Sequence, residues 1–100
     1  MIPMRIAICD DEKSFSSVLK SKIYDYSTLH NWESVVDTYD CGYDLINAKI
    51  KYDIIILDYQ MEQIDGLETA KLLRLGINKF SCIIFLTSFP EIAISAYDVD

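Results

Sequence analysis

The chain is poor in residues that interrupt regular structure, with three glycines and two prolines among 100 residues. It shows no repeat, no low-complexity stretch and no internal linker. Histidine occurs once, so clustered imidazoles are excluded as metal ligands. The three cysteines, Cys9, Cys41 and Cys82, lie far apart and form no C-x-x-C. That spacing argues against a thiolate metal site and for three reduced thiols. Cys9 and Cys82 fall in apolar runs and are expected to pack as small hydrophobes. No apolar run approaches the roughly 20 residues that a membrane-spanning helix requires. The opening MIPMRIAICDDEK lacks the basic start, long apolar middle and small-residue cleavage site of a secretory signal. A cytoplasmic protein away from membranes is expected. Basic residues are the minority, nine against sixteen acidic, giving a formal charge of −7 and a pI near 4.5. Phosphate backbones and anionic membranes repel such a chain on average.

What is present suits one globular domain. Apolar residues make up 51% and charged residues 25%, which places the chain outside the core-poor, charge-rich disordered class. MRIAIC (4–9) is a short apolar run that ends in Asp10-Asp11-Glu12, and it reads as a buried strand. From 13 to 26 the period changes to that of a helix, with Phe15, Val18, Leu19, Ile23 and Tyr26 on one face. The polar stretch 27–31 breaks that pattern. ESVVDTY (33–39) is a weaker strand, and a short helix over 43–48 turns Leu45 and Ile46 inward. DIIIL (53–57) does not alternate, so it reads as a strand covered on both faces in a parallel sheet. A loop and then a helix to about 75 follow, with Leu67, Ala70 and Leu73 inward and Gly76 placed to close it. SCIIFL (81–86) reads as a further fully buried strand. Pro90 suits the first turn of a last helix carrying Ile92, Ala96 and Tyr97. The order βαβαβαβα predicts an open parallel α/β sheet.

Ligands of such sheets bind beyond the carboxyl ends of the strands. Strand one ends in Asp10 and Asp11, strand three in Asp58, and strand four in Thr87 and Ser88. Carboxylates brought that close repel, unless one stays protonated or a cation sits among them. Carboxylate, water and backbone-carbonyl oxygens suit Mg²⁺. A carboxylate beside such an ion can attack phosphorus and form an acyl phosphate, with a neighbouring hydroxyl on an equatorial oxygen. Ser88 reads as a helix cap, Asp65-Gly66 as turn chemistry, and His30 as a loop residue rather than a phosphoryl donor. Tyr59, next to Asp58, is a candidate gate on access to the pocket.

The stretches RIAICDDE, DIIILDYQMEQIDGLETA and IIFLTSFPEIAISAYDVD resemble the receiver domain of bacterial two-component response regulators. The resemblance implies a flavodoxin-like (CheY-like) open sheet in the order 2-1-3-4. It implies Asp58 as phosphoacceptor, Asp10 and Asp11 as the acid pocket for Mg²⁺, one directly and the other through water, and the backbone carbonyl of Gln60 as a further ligand. Thr87 would be the switch hydroxyl. The implied donor is a sensor histidine kinase. The run TSFPEIAISAYDVD is most similar to receivers with a LytTR-type DNA-binding output. DNA would then be reached only through an output domain outside these residues, for transcription regulation.

The departures from the family pattern are also specific. The fifth strand, its aromatic and Lys-Pro, and the fifth helix have no counterpart. Lys79 precedes strand four, so no residue is carried over as the phosphoryl-contacting lysine, and Tyr97 is not the switch aromatic by position. Residues 1–100 are therefore expected to be a receiver domain incomplete at its C-terminus. Such a chain is expected to self-associate as a homodimer or larger oligomer, through the helix-four face or the open sheet edge. A metal-dependent phosphohydrolase would carry a second Asp two residues after its nucleophile, where this chain has Gln60. A flavin-binding module would meet repulsion at Asp10-Asp11-Glu12. A phosphorylation-independent pseudo-receiver, acting as an interaction module, is the alternative that keeps the fold. The module is expected to be a phosphoacceptor rather than an enzyme, with at most weak self-phosphorylation and autodephosphorylation.

Overall fold

The computed structural model describes residues 2–86. It contains β1 (Met4–Cys9), α1 (Lys13–Leu29), β2 (Ser34–Tyr39), α2 (Gly42–Ala48), β3 (Ile54–Asp58), α3 (Gly66–Arg74) and β4 (Cys82–Leu86). The four strands are parallel and lie in the order β2-β1-β3-β4, as expected. Thr87, Ser88, Pro90 and the last helix, with Ile92, Ala96 and Tyr97, lie outside the described residues. Among the described residues, no helix is long and apolar enough to cross a membrane.

Strand residues alternate between two cores. Ala7, Cys9, Ile55 and Leu57 point to the side of α2 and α3, where they bury against Leu45, Ala70 and Leu73. Ile6, Ile8 and Val36 point to the other side, against Leu19 and Ile23 of α1. On the first side Met61, Ile83 and Phe85 pack against this core and are partly buried. The second is covered over β1 and β2 but leaves an apolar groove of about 260 Å³ beside β3 and β4, lined by Met4, Ile6, Ile23, Ile54, Ile56 and Ile84. This corrects the expectation of two fully buried strands. Ile54 and Ile56 are only half-buried, Ile84 is 44% exposed, and Cys82 is exposed while Cys9 is buried.

Three local expectations also change. Helix α1 continues through the polar stretch to Leu29, because Asn31 takes the left-handed conformation and closes it. The Asn31 amide donates to the Thr28 carbonyl and the Trp32 amide to the Ser27 carbonyl, the paired bonds of a Schellman end. The inward face of α1 is Ser16, Leu19, Ile23 and Ser27, while Phe15, Val18 and Tyr26 face solvent. Ser27 is accommodated there because its Oγ donates to the Ile23 carbonyl at 2.8 Å and accepts from Ser34 Oγ at 2.9 Å. Gly76 does not close α3 with a left-handed turn. The helix ends at Arg74, and the Gly76 amide bonds back to the Leu73 carbonyl at 3.1 Å.

His30 sits at the end of α1 distal to Asp10. Its ring lies 4.2 Å from that of Tyr26 and 5.7 Å from that of Trp32, centroid to centroid. That position accords with a helix-end packing residue.

Candidate functional site

The acidic residues arrive at one rim because the strands are parallel and end together. Asp10 directly follows β1, and its amide donates to the Tyr39 carbonyl at the end of β2. Asp58 is the last residue of β3 and pairs with Leu86, the last of β4. The Tyr59 amide donates to the Leu86 carbonyl at 3.0 Å, which pins the two strand ends together.

Asp10, Asp11 and Asp58 each place a carboxylate oxygen within 4.8 Å of the others. Asp10 is buried, Asp58 half-buried and Asp11 exposed. Asp10 Oδ1 accepts the Glu12 amide at 2.9 Å, which orients it. Asp58 Oδ1 receives a long 3.4 Å contact from the Gln60 amide, and the Tyr59 amide lends the same carboxylate a weaker one. At that separation and an effective dielectric of 20, two charged carboxylates repel by about 3 kcal/mol. Asp10 and Asp58 both respond. Burial, followed by the charges of Asp11 and Glu12, pushes the Asp10 carboxyl above its ordinary value. Burial and then the Asp10 charge push Asp58 up. Three carboxylate oxygens at this spacing, with two of the carboxyls pushed toward protonation, fit a hard divalent cation.

Beside the cluster is an open depression lined by Asp11, Tyr59, Gln60, Met61, Glu62 and Asp65. The Tyr59 ring rests near Phe85, with centroids 6.1 Å apart, and so flanks the approach to Asp58.

The sequence reading undervalued Gly66. Asp65 does cap α3, its Oδ1 accepting the Glu68 amide at 2.8 Å. Gly66 does more than turn the chain. Its amide donates to the Tyr59 carbonyl at 2.8 Å, and a Cβ there would lie 2.4 Å from the Asp58 carbonyl oxygen. The start of α3 is thus pressed onto the backbone of the residue that bears the central carboxylate. An Asp-Gly pair after a strand-ending Asp was the available signal, and it was read only as a turn.

The sequence matches the response regulator receiver domain over residues 6–99. The chain belongs to that family. Among solved structures, this receiver domain superposes on chemotaxis protein CheY4 of Vibrio cholerae with a TM-score of 0.81, at 24% identity, covering 98% of this chain and 81% of that one. It is similar to the response regulator TrrA of Thermotoga maritima, solved in complex with Mg(2+)-BeF: TM-score 0.79, 27% identity, 96% and 80% of the two chains covered. It is also similar to the receiver domain of a sensor histidine kinase from Pseudomonas aeruginosa, solved with a magnesium ion coordinated in the active site cleft. There the TM-score is 0.74 at 19% identity, with 87% and 69% covered. The receiver domain is a signalling module, and its acidic cluster lies where the parallel strands end.

Proposed function

We propose that Asp58 accepts a phosphoryl group from the phosphohistidine of a sensor histidine kinase, in a reaction that requires Mg²⁺. The observation that carries this reading is the convergence of Asp10, Asp11 and Asp58 at one rim, each with a carboxylate oxygen within 4.8 Å of the others. Asp10, Asp11, Asp58 and the backbone carbonyl of Gln60 would hold the ion. When bound it supplies the positive charge that lets three carboxylates coexist and offsets charge building on the phosphoryl oxygens.

The chain's own part is positional. Asp10 is held by the Glu12 amide, and half-buried Asp58 would offer an oxygen to the donor. That oxygen forms a bond to phosphorus as the bond from phosphorus to the donor imidazole nitrogen breaks, and neutral histidine leaves. Tyr59 flanks the approach and tunes how readily water reaches the acyl phosphate. Thr87, next in the chain after Leu86, would donate its hydroxyl to a phosphoryl oxygen and report the new dianion to the rest of the domain. The same chemistry allows slow self-phosphorylation from small phosphodonors and slow autodephosphorylation.

The downstream reading is a cytoplasmic regulator of transcription. It dimerises through its helix-four face or open sheet edge and reaches DNA through an output domain of LytTR type. The receiver domain is taken as residues 1–100, with the output domain outside them.

The test is incubation with acetyl phosphate, with and without Mg²⁺, followed by intact-mass measurement. Addition of one phosphoryl group that needs Mg²⁺ and is lost in Asp58→Asn is expected. Modification independent of the metal, or persisting in Asp58→Asn, overturns the assignment.

A further inference from the structure

The end of the sheet opposite the acidic rim carries a second chemical feature, which phosphoryl transfer does not use. The turn between α3 and β4 displays Leu75 at 84% exposure, Ile77 at 54% and Phe80 at 87%. These residues do not lie on a loose loop. Beneath them Asn78 and Ser81 are buried, and Asn78 Oδ1 accepts the Tyr52 amide at 2.8 Å. Asn78 Nδ2 donates to the Ile50 carbonyl, and Ser81 Oγ donates to the Tyr52 carbonyl. From the side, one Arg74 guanidinium nitrogen donates to the carbonyls of Asn78, Lys79 and Ser81, the last at 2.6 Å. A turn held so firmly presents its apolar side chains with little ordering left to lose on binding.

The charge around this turn is opposite to that of the whole chain. Lys79 places its Nζ 5.8 Å from the Phe80 ring, and Lys71 is one helical turn before Leu75. Lys49 and Lys51 flank Ile50, the residue bonded by Asn78. All four lysines are exposed, and among the described residues none is ion-paired. The neighbouring carboxylates are Asp53, which accepts the Arg5 backbone amide at 2.9 Å, and Glu68, one helical turn before Lys71, so the four lysines outnumber them. Glu33 precedes β2, at the sheet edge farthest from β4. Asp10, Asp11 and Asp58 lie at the other end of strands five or six residues long. That is about 17–20 Å away, twice the screening length of roughly 8 Å at physiological salt. Among the described residues, a surface touching the turn meets more lysines than carboxylates.

We propose that this end of the receiver domain docks on an anionic lipid surface, with Phe80, Ile77 and Leu75 entering the headgroup region and Lys49, Lys51, Lys71 and Lys79 facing the lipid phosphates. A rigid turn with exposed apolar side chains, flanked by four exposed lysines, fits a deformable anionic interface. The acidic rim then faces away from the membrane.

The test is co-sedimentation of the full chain with two kinds of vesicle, one of phosphatidylcholine alone and one of equal parts phosphatidylcholine and phosphatidylglycerol. Binding is expected on the anionic vesicles and not on the neutral ones. Phe80→Ser lowers it on the order of tenfold, and Lys71→Glu with Lys79→Glu does at least as much. Both leave the melting curve and the Mg²⁺ affinity unchanged, since the altered side chains are exposed. Equal binding to neutral vesicles, or binding that both variants keep, overturns the proposal. So does binding to soluble polyglutamate without binding to vesicles, which would assign the lysines to an acidic protein instead.

Discussion

At the end where the strands begin, Asn78 and Ser81 are buried and each of their polar atoms meets a partner. At the end where they finish, Asp10 and Asp58 are held near a third carboxylate, and their carboxyls are pushed toward protonation. The same parallel sheet thus supports one polar cluster that stabilises the fold and one that strains it. Satisfied buried networks rigidify a structure, whereas unsatisfied ones persist only where something outside the chain completes them. The difference separates scaffold from site without reference to any relative.

The comparison is broken most severely by removing the scaffold. Asn78→Ala leaves the Tyr52 amide and the Ile50 carbonyl without their side-chain partner, while the Ser81 hydroxyl keeps only the Tyr52 carbonyl. A loss of about 3 kcal/mol of unfolding free energy is expected in urea melts. Mg²⁺ should still bind to the protein that remains folded, because the acidic rim is at the other end.

Completing the strained end should have nearly the opposite effect. Mg²⁺ at a hundredfold excess over its dissociation constant is expected to raise stability by about 2.7 kcal/mol. Thermal melts of Asp58→Asn should show little of that gain. Equal gains in both proteins would place the ion elsewhere.

Gly66→Ala tests how closely the scaffold grips the site. The added methyl would lie 2.4 Å from the Asp58 carbonyl oxygen and 2.8 Å from Tyr59 Cα, both backbone atoms, so the start of α3 must shift. A loss of about 2 kcal/mol is expected, together with weaker Mg²⁺ binding because Asp58 moves with it. An unchanged Mg²⁺ affinity would show that the carboxylate is positioned by β3 alone.

Much of this contrast was legible in the residues. The apolar runs ending in Asp10 and Asp58 carried both the parallel sheet and the acidic rim, because a short run of apolar residues without alternation suits a strand of a parallel sheet and a charge ends it. The stabilising end was not legible. Asn78 and Ser81 look like ordinary loop residues, and only the fold brings Ile50 and Tyr52 to them. The face of α1 was misread for a related reason. Ser16 and Ser27 bury because they are small, and in Ser27 a local hydrogen bond satisfies the hydroxyl, while Phe15 and Tyr26 go to solvent. Hydrophobicity alone ranks those positions the wrong way round. Strand β4 reads as fully buried because composition reports what could be covered. The coverage itself depends on where α1 lies, and α1 packs over β1 and β2.

The smallest effect concerns protons. Asp10→Asn removes one charge from the cluster and keeps an oxygen to accept the Glu12 amide. Without metal at neutral pH it should therefore stabilise the protein, by about 1 kcal/mol. The sign of the pH dependence follows from the direction of the shifts. Asp10 and Asp58 have folded-state values raised above the ordinary 3.8, so in that window the native state binds more protons than the unfolded one. The cost of the cluster is then fully present above the raised values and disappears as pH falls to the ordinary one. The advantage of Asp10→Asn over the parent should shrink along the same course, as denaturant melts across that range would show. Saturating Mg²⁺ at neutral pH should reverse the order, because the parent then gains a ligand set that the variant has lost. An advantage that ignores both acid and metal would mean that Asp10 costs stability through burial alone, and that its neighbours at the rim do not share a site.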